Sequence, residues 1–439
     1  MNRPDLRPGQ LTIAALVLLT VVAVLLGLRN EDLRDLAALL DYLGRASAIV
    51  GLLMLLLAAV LSARLPRLDR HFGGLTHLWQ THHRLGAGSL LLLMAHPLLL
   101  ALAASAGSGG EAVAFLFPPL ADWALWSGWA ALVLMMLFLA PSFSFFGRPH
   151  YERWKHLHRL SGPAVLLALL HSAQYGRTLP GSLQTLLWWL LGVLALAALV
   201  WHFGLSRRFG RRRYVVERTM MVANNLVELV LAPVGRRRLR YRAGQFVYLT
   251  PYDETLSAGH GEEHPYTLSS SPLDEHLRVA IKDLGDASRA IQTIQLGSRV
   301  TVEGPYGDFF PRRDDDRSQL WIAGGIGITP FLARARHIAR LGVPVDVHLI
   351  YCVQDEARAR FLDELRDHAA ALPGFELTAH LFYRMGPLDR DFLTEHCPDH
   401  ATRAWFICGP TPLNRLARGM ARSAGVARRD IHTEAFDLL

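Results

Sequence analysis

Six apolar runs of near-membrane length crowd the first 203 residues, a layout for which a water-soluble fold has no use. About 20 helical residues rising 1.5 Å each cross a hydrocarbon core of about 30 Å. The runs are Leu11–Leu28, Ala46–Leu61, Leu85–Ala104, Trp123–Ala140, Leu160–Ser172 and Leu183–Phe203. Gly27–Asn30 offers no small-residue cleavage site, so the first run reads as a span and not as a removable leader. The charged fraction, 19%, is low against about 25% in soluble domains, and 51% of residues are hydrophobic. Lys and Arg exceed Asp and Glu by 46 to 38. The excess sits beside apolar segments, which points to a lipid bilayer and not to nucleic acid.

The basic residues fall in alternate loops. Arg64, Arg67 and Arg70 follow the second run; Arg148, Arg153 and Lys155 follow the fourth; Arg207, Arg208 and Arg211–Arg213 follow the sixth. The positive-inside rule then places these loops and both termini in the cytoplasm. The Arg run after the sixth span reads as a stop-transfer signal anchored to lipid headgroups. Cys352, Cys397 and Cys408 are odd in number and include no C-x-x-C. That excludes a disulfide framework and a four-Cys cluster, and fits a reducing compartment.

Beyond Tyr214 the pattern changes. Leu226–Leu231, Gln245–Leu249, Leu277–Ile281 and Arg299–Val302 alternate as strands of a small antiparallel barrel. From Leu320 a strand (Leu320–Ala323), a Gly-rich turn, a helix (Phe331–Arg340), a strand (Val345–Tyr351) and a helix (Ala357–Ala371) follow, the order of an α/β unit with a mainly parallel sheet. The expected fold is a multidomain membrane protein: a six-helix transmembrane bundle (1–213), an antiparallel β-barrel (214–315) and an α/β nucleotide-binding domain (316–439).

Ionisable groups inside spans are costly and usually functional. The third span opens on His82 and His83 and contains His96; the fifth opens on His156 and His158 and contains His171. Two histidines on each of two helices can hold two haems, each iron taking one imidazole from either helix. His82 to His96 is fourteen positions, four turns less about 40°, with a rise of about 21 Å. His83 to His96 is thirteen, a rotation of about 220°, which favours His82 as the ligand. His158 to His171 is also thirteen, so that span needs altered winding, which Pro163 can supply.

His264-Pro265-Tyr266-Thr267-Leu268-Ser269 follows a strand and offers an aromatic wall and hydroxyls for a flat ring. Lys282-Asp283-Leu284-Gly285-Asp286-Ala287-Ser288 reads as a helix start suited to a pyrophosphate. Gly324-Gly325-Ile326-Gly327-Ile328-Thr329-Pro330 lies between strand and helix. It is not G-x-G-x-x-G, yet side-chain-free backbone at a helix start still lets phosphates approach. Cys408-Gly409-Pro410 ends another apolar strand.

In this order the motifs make the chain resemble a bacterial member of the NADPH oxidase and ferric reductase superfamily over nearly its whole length. The resemblance implies two b-type haems on His82, His96, His158 and His171, with the cytoplasmic haem on His82 and His158. It further implies FAD on the stretch holding His264, Pro265, Tyr266, Thr267 and Ser269 and on the segment holding Lys282, Gly285 and Ser288. NADPH, or NADH as the alternative, would lie on Gly324, Gly325, Gly327, Thr329, Pro330, Cys408, Gly409 and Pro410. Cys408 and Glu434 match residues near hydride transfer, and Phe436 matches an aromatic that covers the flavin ring. Many relatives carry an Arg after the second α/β strand, where this chain has Gln354, with Arg358 and Arg360 a turn later. The implied activity is electron transfer from cytoplasmic NAD(P)H through FAD and two haems across a bacterial inner membrane. The acceptor would be O2, giving superoxide, or a ferric chelate as the alternative. The unequal spacing, fourteen then thirteen, resembles the oxidase branch. No obligatory protein activator is visible. A transporter with a regulatory nucleotide domain is the competing class, disfavoured by spans without carboxylates.

Overall fold

The computed structural model describes residues 7–27, 35–65, 68–142, 151–175, 182–236, 238–311 and 316–434. The chain divides into two compact units, Met1–Arg207 and Arg208–Leu439.

The first unit is helical: α1 Pro8–Gly27, α2 Leu36–Ser62, α3 Leu68–His71, α4 Leu75–Ala104, α5 Gly109–Leu116, α6 Trp123–Leu139, α7 Tyr151–His158, α8 Ser161–Tyr175 and α9 Ser182–Val200. Among the described residues four segments are long and apolar enough to cross a membrane: Pro8–Leu26, Leu36–Ser62, Leu75–Ala104 and Trp123–Ser142. α8 has only 15 residues. α2 and α4 start about ten residues before the apolar runs that announced them, because helical hydrogen bonding continues through Leu36–Arg45 and Leu75–Arg84, where charged and polar residues break the apolar run. The N-terminus of α2 is capped by Asp35, whose carboxylate accepts from the Ala38 N–H. α2 supplies the centre of the unit, with Leu53 and Leu56 fully buried. Glycines bring α4 onto it: a Cβ at Gly44 or Gly51 would meet Leu100 or Leu93 at 2.8 and 2.9 Å. Small residues at such crossings let apolar helices pack by van der Waals contact where the hydrophobic effect offers little. Leu18, Leu91 and Leu98 lie exposed on the outside, as a lipid-facing surface requires.

The second unit opens with a six-stranded antiparallel sheet: β1 Arg211–Ala223, β2 Leu226–Pro233, β3 Phe246–Tyr252, β4 His264–Thr267, β5 Leu277–Lys282 and β6 Arg299–Tyr306, in the order β4-β3-β6-β1-β2-β5. A bridge between Leu268 and Val279 joins its two outer strands, so the sheet curls around a core that includes Val227, Leu229, Val247, Leu249 and Ile281. α10 Asp286–Ala290 follows β5. β1 begins three residues ahead of the expected domain start at 214, and the Arg run belongs to it. Arg211–Arg213 pair with Thr301–Glu303 of β6, and the Arg211 guanidinium meets Glu303 at 3.0 Å and Glu263 at 2.9 Å. The headgroup-anchor reading therefore fails for Arg211, whose charge is satisfied by two carboxylates that composition alone does not reveal.

Five parallel strands follow, β7 Gln319–Gly324, β8 Val347–Val353, β9 Phe375–Leu381, β10 Ala404–Cys408 and β11 Ile431–Glu434, ordered β11-β10-β7-β8-β9. Their helices are α11 Thr329–Leu341, α12 Leu362–Ala371, α13 Phe382–Met385, α14 Arg390–His396 and α15 Thr411–Ser423. β7 is buried on both faces, Trp321 and Ala323 on one core and Leu320 and Ile322 on the other, as a parallel strand covered by helices must be. α12 starts five residues later than its apolar period suggested, because Asp355 caps a separate short turn at Glu356–Arg358 and Phe361 adopts a left-handed φ of 60°.

Candidate functional site: paired histidines and a nucleotide crevice

In the helical unit, His82 on α4 faces His158 at the end of α7 with ring centres 6.1 Å apart, and His96 on α4 faces His171 on α8 at 6.3 Å. An iron bonded to two imidazoles at about 2 Å each sets their ring centres about 6 Å apart, so both gaps fit a hexacoordinate haem iron. The rings are oriented from behind. Nδ1 of His82, His96 and His171 lies 2.9 Å from the carbonyls of Ala58, Gly44 and Ala124 respectively. An Nδ1–H donated to a carbonyl leaves Nε2 with its lone pair free for a metal. His83, about 100° round the helix from His82, is exposed. Trp79 and Trp154, with Phe138, wall the His82–His158 pair.

The thirteen-residue spacing is resolved by a break, not by Pro163. α7 ends at His158, Arg159 and Leu160 turn on i→i+3 hydrogen bonds, and α8 starts at Ser161. Pro163 sits in the first turn of α8, where its missing N–H costs nothing.

Around His96 and His171 lies a partly open pocket, lined otherwise by Ser172 and by apolar side chains such as Leu52, Leu93, Trp129 and Met135. Gly128 belongs to this wall and was not legible beforehand: a lone glycine in a Trp/Leu-rich run has no period to mark it. A Cβ there would lie 2.7 Å from Nδ1 of His171. Gly128→Ala is therefore expected to push the His171 ring off its carbonyl. Ligand orientation by such partners is worth about 10–100-fold in metal affinity. Haem content per flavin, measured on the purified variant, should fall below that of the wild type.

In the second unit, β4 carries the His264–Thr267 stretch along the edge of β3. His264 Nε2 lies 3.3 Å from Glu262, Tyr266 is half-buried with its hydroxyl pKa pushed up by burial, and Thr267 is buried. Pro265 is half-buried between them, and Lys282 ends β5. Two hydroxyls expected to meet the cofactor have other partners. Ser269 donates to Glu228 at 2.6 Å, and Ser288 accepts from the Leu284 N–H while donating to the Gly285 carbonyl. α10 is only five residues long.

The Gly-rich turn and the CGP triplet end the neighbouring strands β7 and β10. This is the point where strand order reverses, the crevice in which open α/β sheets bind ligands. Three glycines serve the meeting of these loops. A Cβ on Gly324 would lie 2.8 Å from Pro410, one on Gly327 2.7 Å from the Cys408 carbonyl carbon, and one on Gly409 3.0 Å from Gly324. Gly325 differs: its φ is +55° and nothing stands within 4 Å of its Cβ position, so its backbone faces open space. Thr329 and Pro330 begin α11 and are buried, with the Thr329 hydroxyl bonded to the Ile326 carbonyl. Cys408 and Glu434 pair in register on β10 and β11. Burial, with Glu434 close by, pushes the Cys408 thiol far up, so it stays protonated and is no nucleophile. Burial also raises Glu434 to about 8, and its Oε2 is buried without a hydrogen-bond partner. Its other oxygen points toward Gly307 at the end of β6, 3.5 Å from that residue's Cβ position. A neutral carboxylic acid thus sits where the antiparallel sheet meets the crevice. Phe436 lies outside the described residues.

An apolar helical unit with paired histidines, joined in sequence to a flavin-type sheet and a nucleotide crevice, defines a membrane-linked flavin oxidoreductase. Family comparisons agree. The ferric reductase like transmembrane component matches residues 47–169, an FAD-binding domain 213–309, and an oxidoreductase NAD-binding domain 321–419. In that order these are the architecture of the NADPH oxidase and ferric reductase superfamily, to which this chain belongs. The ferredoxin reductase component of 3-ketosteroid-9-alpha-monooxygenase from Mycolicibacterium smegmatis is 35% identical over 214 residues, 47% of this chain and 59% of that protein. The glycine betaine monooxygenase reductase subunit of Chromohalobacter salexigens is 27% identical over 212 residues, 45% of this chain and 56% of that protein. The chain thus spans less than two thirds of these relatives. The FAD/NAD-binding domain of nitric oxide dioxygenase from Vibrio cholerae is similar at 22% identity and a TM-score of 0.46, covering 51% of this chain and 98% of that one.

Proposed function

We propose that the chain is a transmembrane oxidoreductase that passes electrons from cytoplasmic NAD(P)H, through FAD and two b-type haems in a six-helix bundle, to an acceptor on the far side of a bacterial inner membrane. The observation that carries this reading is the pair of histidine gaps, 6.1 and 6.3 Å, borne by positions fourteen apart on one helix. Nicotinamides give two electrons together and haem irons take one, a mismatch that a flavin resolves. The residues have separate tasks. His82 with His158 and His96 with His171 would hold the irons through Nε2, with Nδ1 of three of them fixed by backbone carbonyls. Gly325 would receive the pyrophosphate, Tyr266 and Thr267 the flavin ring, and Glu434 would keep a proton at the buried end of β11. Oxygen is the proposed acceptor, giving superoxide, on the unequal spacing of the two histidine pairs. Protein reduced anaerobically with NADH or NADPH should show b-type haem bands, and admission of air should yield superoxide faster than the same preparation reduces a ferric chelate. Absence of haem bands would overturn the reading; faster ferric-chelate reduction would overturn the choice of acceptor.

A further inference from the structure

The crevice between β7 and β10 divides the nucleotide. A nucleotide bound there with one half toward Cys408 and Glu434 would lay its adenosine half over the carboxyl ends of β8 and β9. These ends are tied together and to the glycine turn. The Tyr383 N–H donates to the Gln354 carbonyl at 3.0 Å, and the Tyr351 hydroxyl donates to the Gly325 carbonyl at 3.2 Å. Phe382 and Tyr383 are large exposed rings at the end of β9, flat surfaces of the kind on which a purine stacks.

The charge at this place is decided by Asp355, two residues beyond β8. Its Oδ1 accepts from the Arg358 N–H at 3.0 Å, and its Oδ2 is ion-paired with the Arg358 guanidinium, which also lies 5.9 Å from the centre of the Tyr383 ring. Arg358 is thereby drawn onto Asp355. Arg360 turns away, one nitrogen on the Ala357 carbonyl and another 3.5 Å from Asn225. A carboxylate with lone pairs to spare accepts a hydroxyl well and repels a dianionic phosphate. An acid after a strand of a dinucleotide fold accepts the ribose 2′-hydroxyl, whereas an unpaired Arg there accommodates a 2′-phosphate.

We propose that this is an NADH site, in which Asp355 accepts the 2′-hydroxyl of the adenine ribose and withholds Arg358 from a 2′-phosphate. The proposal rests on the NAD(P)H reading above and names its substrate. Asp355 acts on the nucleotide alone, so its loss should change the ratio of two nucleotides and not the rate of flavin reduction at saturation. Asp355→Asn keeps an oxygen to cap the turn while freeing Arg358. The test uses the full-length protein in detergent. Flavin reduction is followed with NADH and NADPH, and binding is titrated separately with ADP-ribose and 2′-phospho-ADP-ribose. Wild type should favour NADH in kcat/KM by at least about tenfold and bind ADP-ribose more tightly than its 2′-phosphorylated form. The variant should narrow both ratios about tenfold or more, chiefly by lowering the KM for NADPH. A wild-type preference for NADPH would overturn the proposal while leaving the enzyme class intact. Equal losses with both nucleotides in Asp355→Asn would reduce Asp355 to a turn cap and overturn it as well. Reduction by neither nucleotide would overturn the class itself.

Discussion

Protein carrying His96→Ala is expected to retain one b-type haem of two, while NAD(P)H still reduces its flavin at the wild-type rate. His96 faces His171 across 6.3 Å, and among the described residues no other titratable side chain lines that pocket. Removing one imidazole would leave an iron held between them with a single protein ligand. His171→Ala should behave alike, because each ring is useless without the other. The flavin and nucleotide sites are built by Arg208–Leu439 and should not register the change. The measurement is haem per flavin from the reduced spectrum, beside the anaerobic rate of flavin bleaching. His83→Ala, on the exposed side of α4, is the control and should keep both haems. Two haems in His96→Ala would show that the ring is merely a buried polar group.

Arg336→Met should cost the reductase unit about 3–5 kcal/mol, roughly a 10 °C fall in its unfolding midpoint. Arg336, on α11, is nearly buried and reaches Glu364 of α12 at 2.6 and 2.8 Å, Glu228 of β2 at 2.7 Å and the Ser269 carbonyl at 2.9 Å. One guanidinium therefore joins the antiparallel sheet to the α/β layer. Without it, Glu228 is left buried with Arg278, at 3.9 Å, as its cation among the described residues. A double change with Glu228→Gln should recover part of the loss, since the uncompensated charge is then gone. The pH dependence has a definite sign. Burial would raise the Glu364 carboxyl, but the hydrogen bonds and charges of Arg336 and His368 outweigh it and hold the carboxyl at about 2, below its ordinary 4.5. A carboxyl depressed on folding stabilises above its unfolded pKa and loses that contribution as pH falls through the folded one. The gap between wild type and Arg336→Met should therefore narrow between pH 4.5 and 2, read by thermal unfolding with flavin release as the signal.

The histidine constellation was legible in the sequence because helix geometry is regular: fourteen positions return almost to one face, and a polar group in a Leu-rich run has few other reasons to exist. The strands were legible by alternation, and the parallel sheet by the order of its elements. What escaped depended on partners far along the chain. Arg211 looked like a headgroup anchor because Glu263 and Glu303 are 52 and 92 residues away. Ser269 looked like a cofactor ligand because nothing local announces Glu228. Gly324 and Gly327 read from the sequence as room for a phosphate, and nothing local announces that the backbone of Cys408 and Gly409 also lies against them. A glycine's empty side is visible only once its neighbour is in place.

The break between α7 and α8 has one more consequence, for how such a chain can change over generations. On α4 the two histidines share one helix whose internal proline, Pro97, lies beyond both, so inserting or deleting a single residue between them would swing one ring by about 100° and orphan its partner. On the opposite side the turn at Arg159 and Leu160 separates the two rings into different helices. Length variation there is absorbed by the turn before it reaches His171. The thirteen positions on this side are thus set by a turn and the fourteen by a helix, and α4 serves as the ruler against which the other side is adjusted.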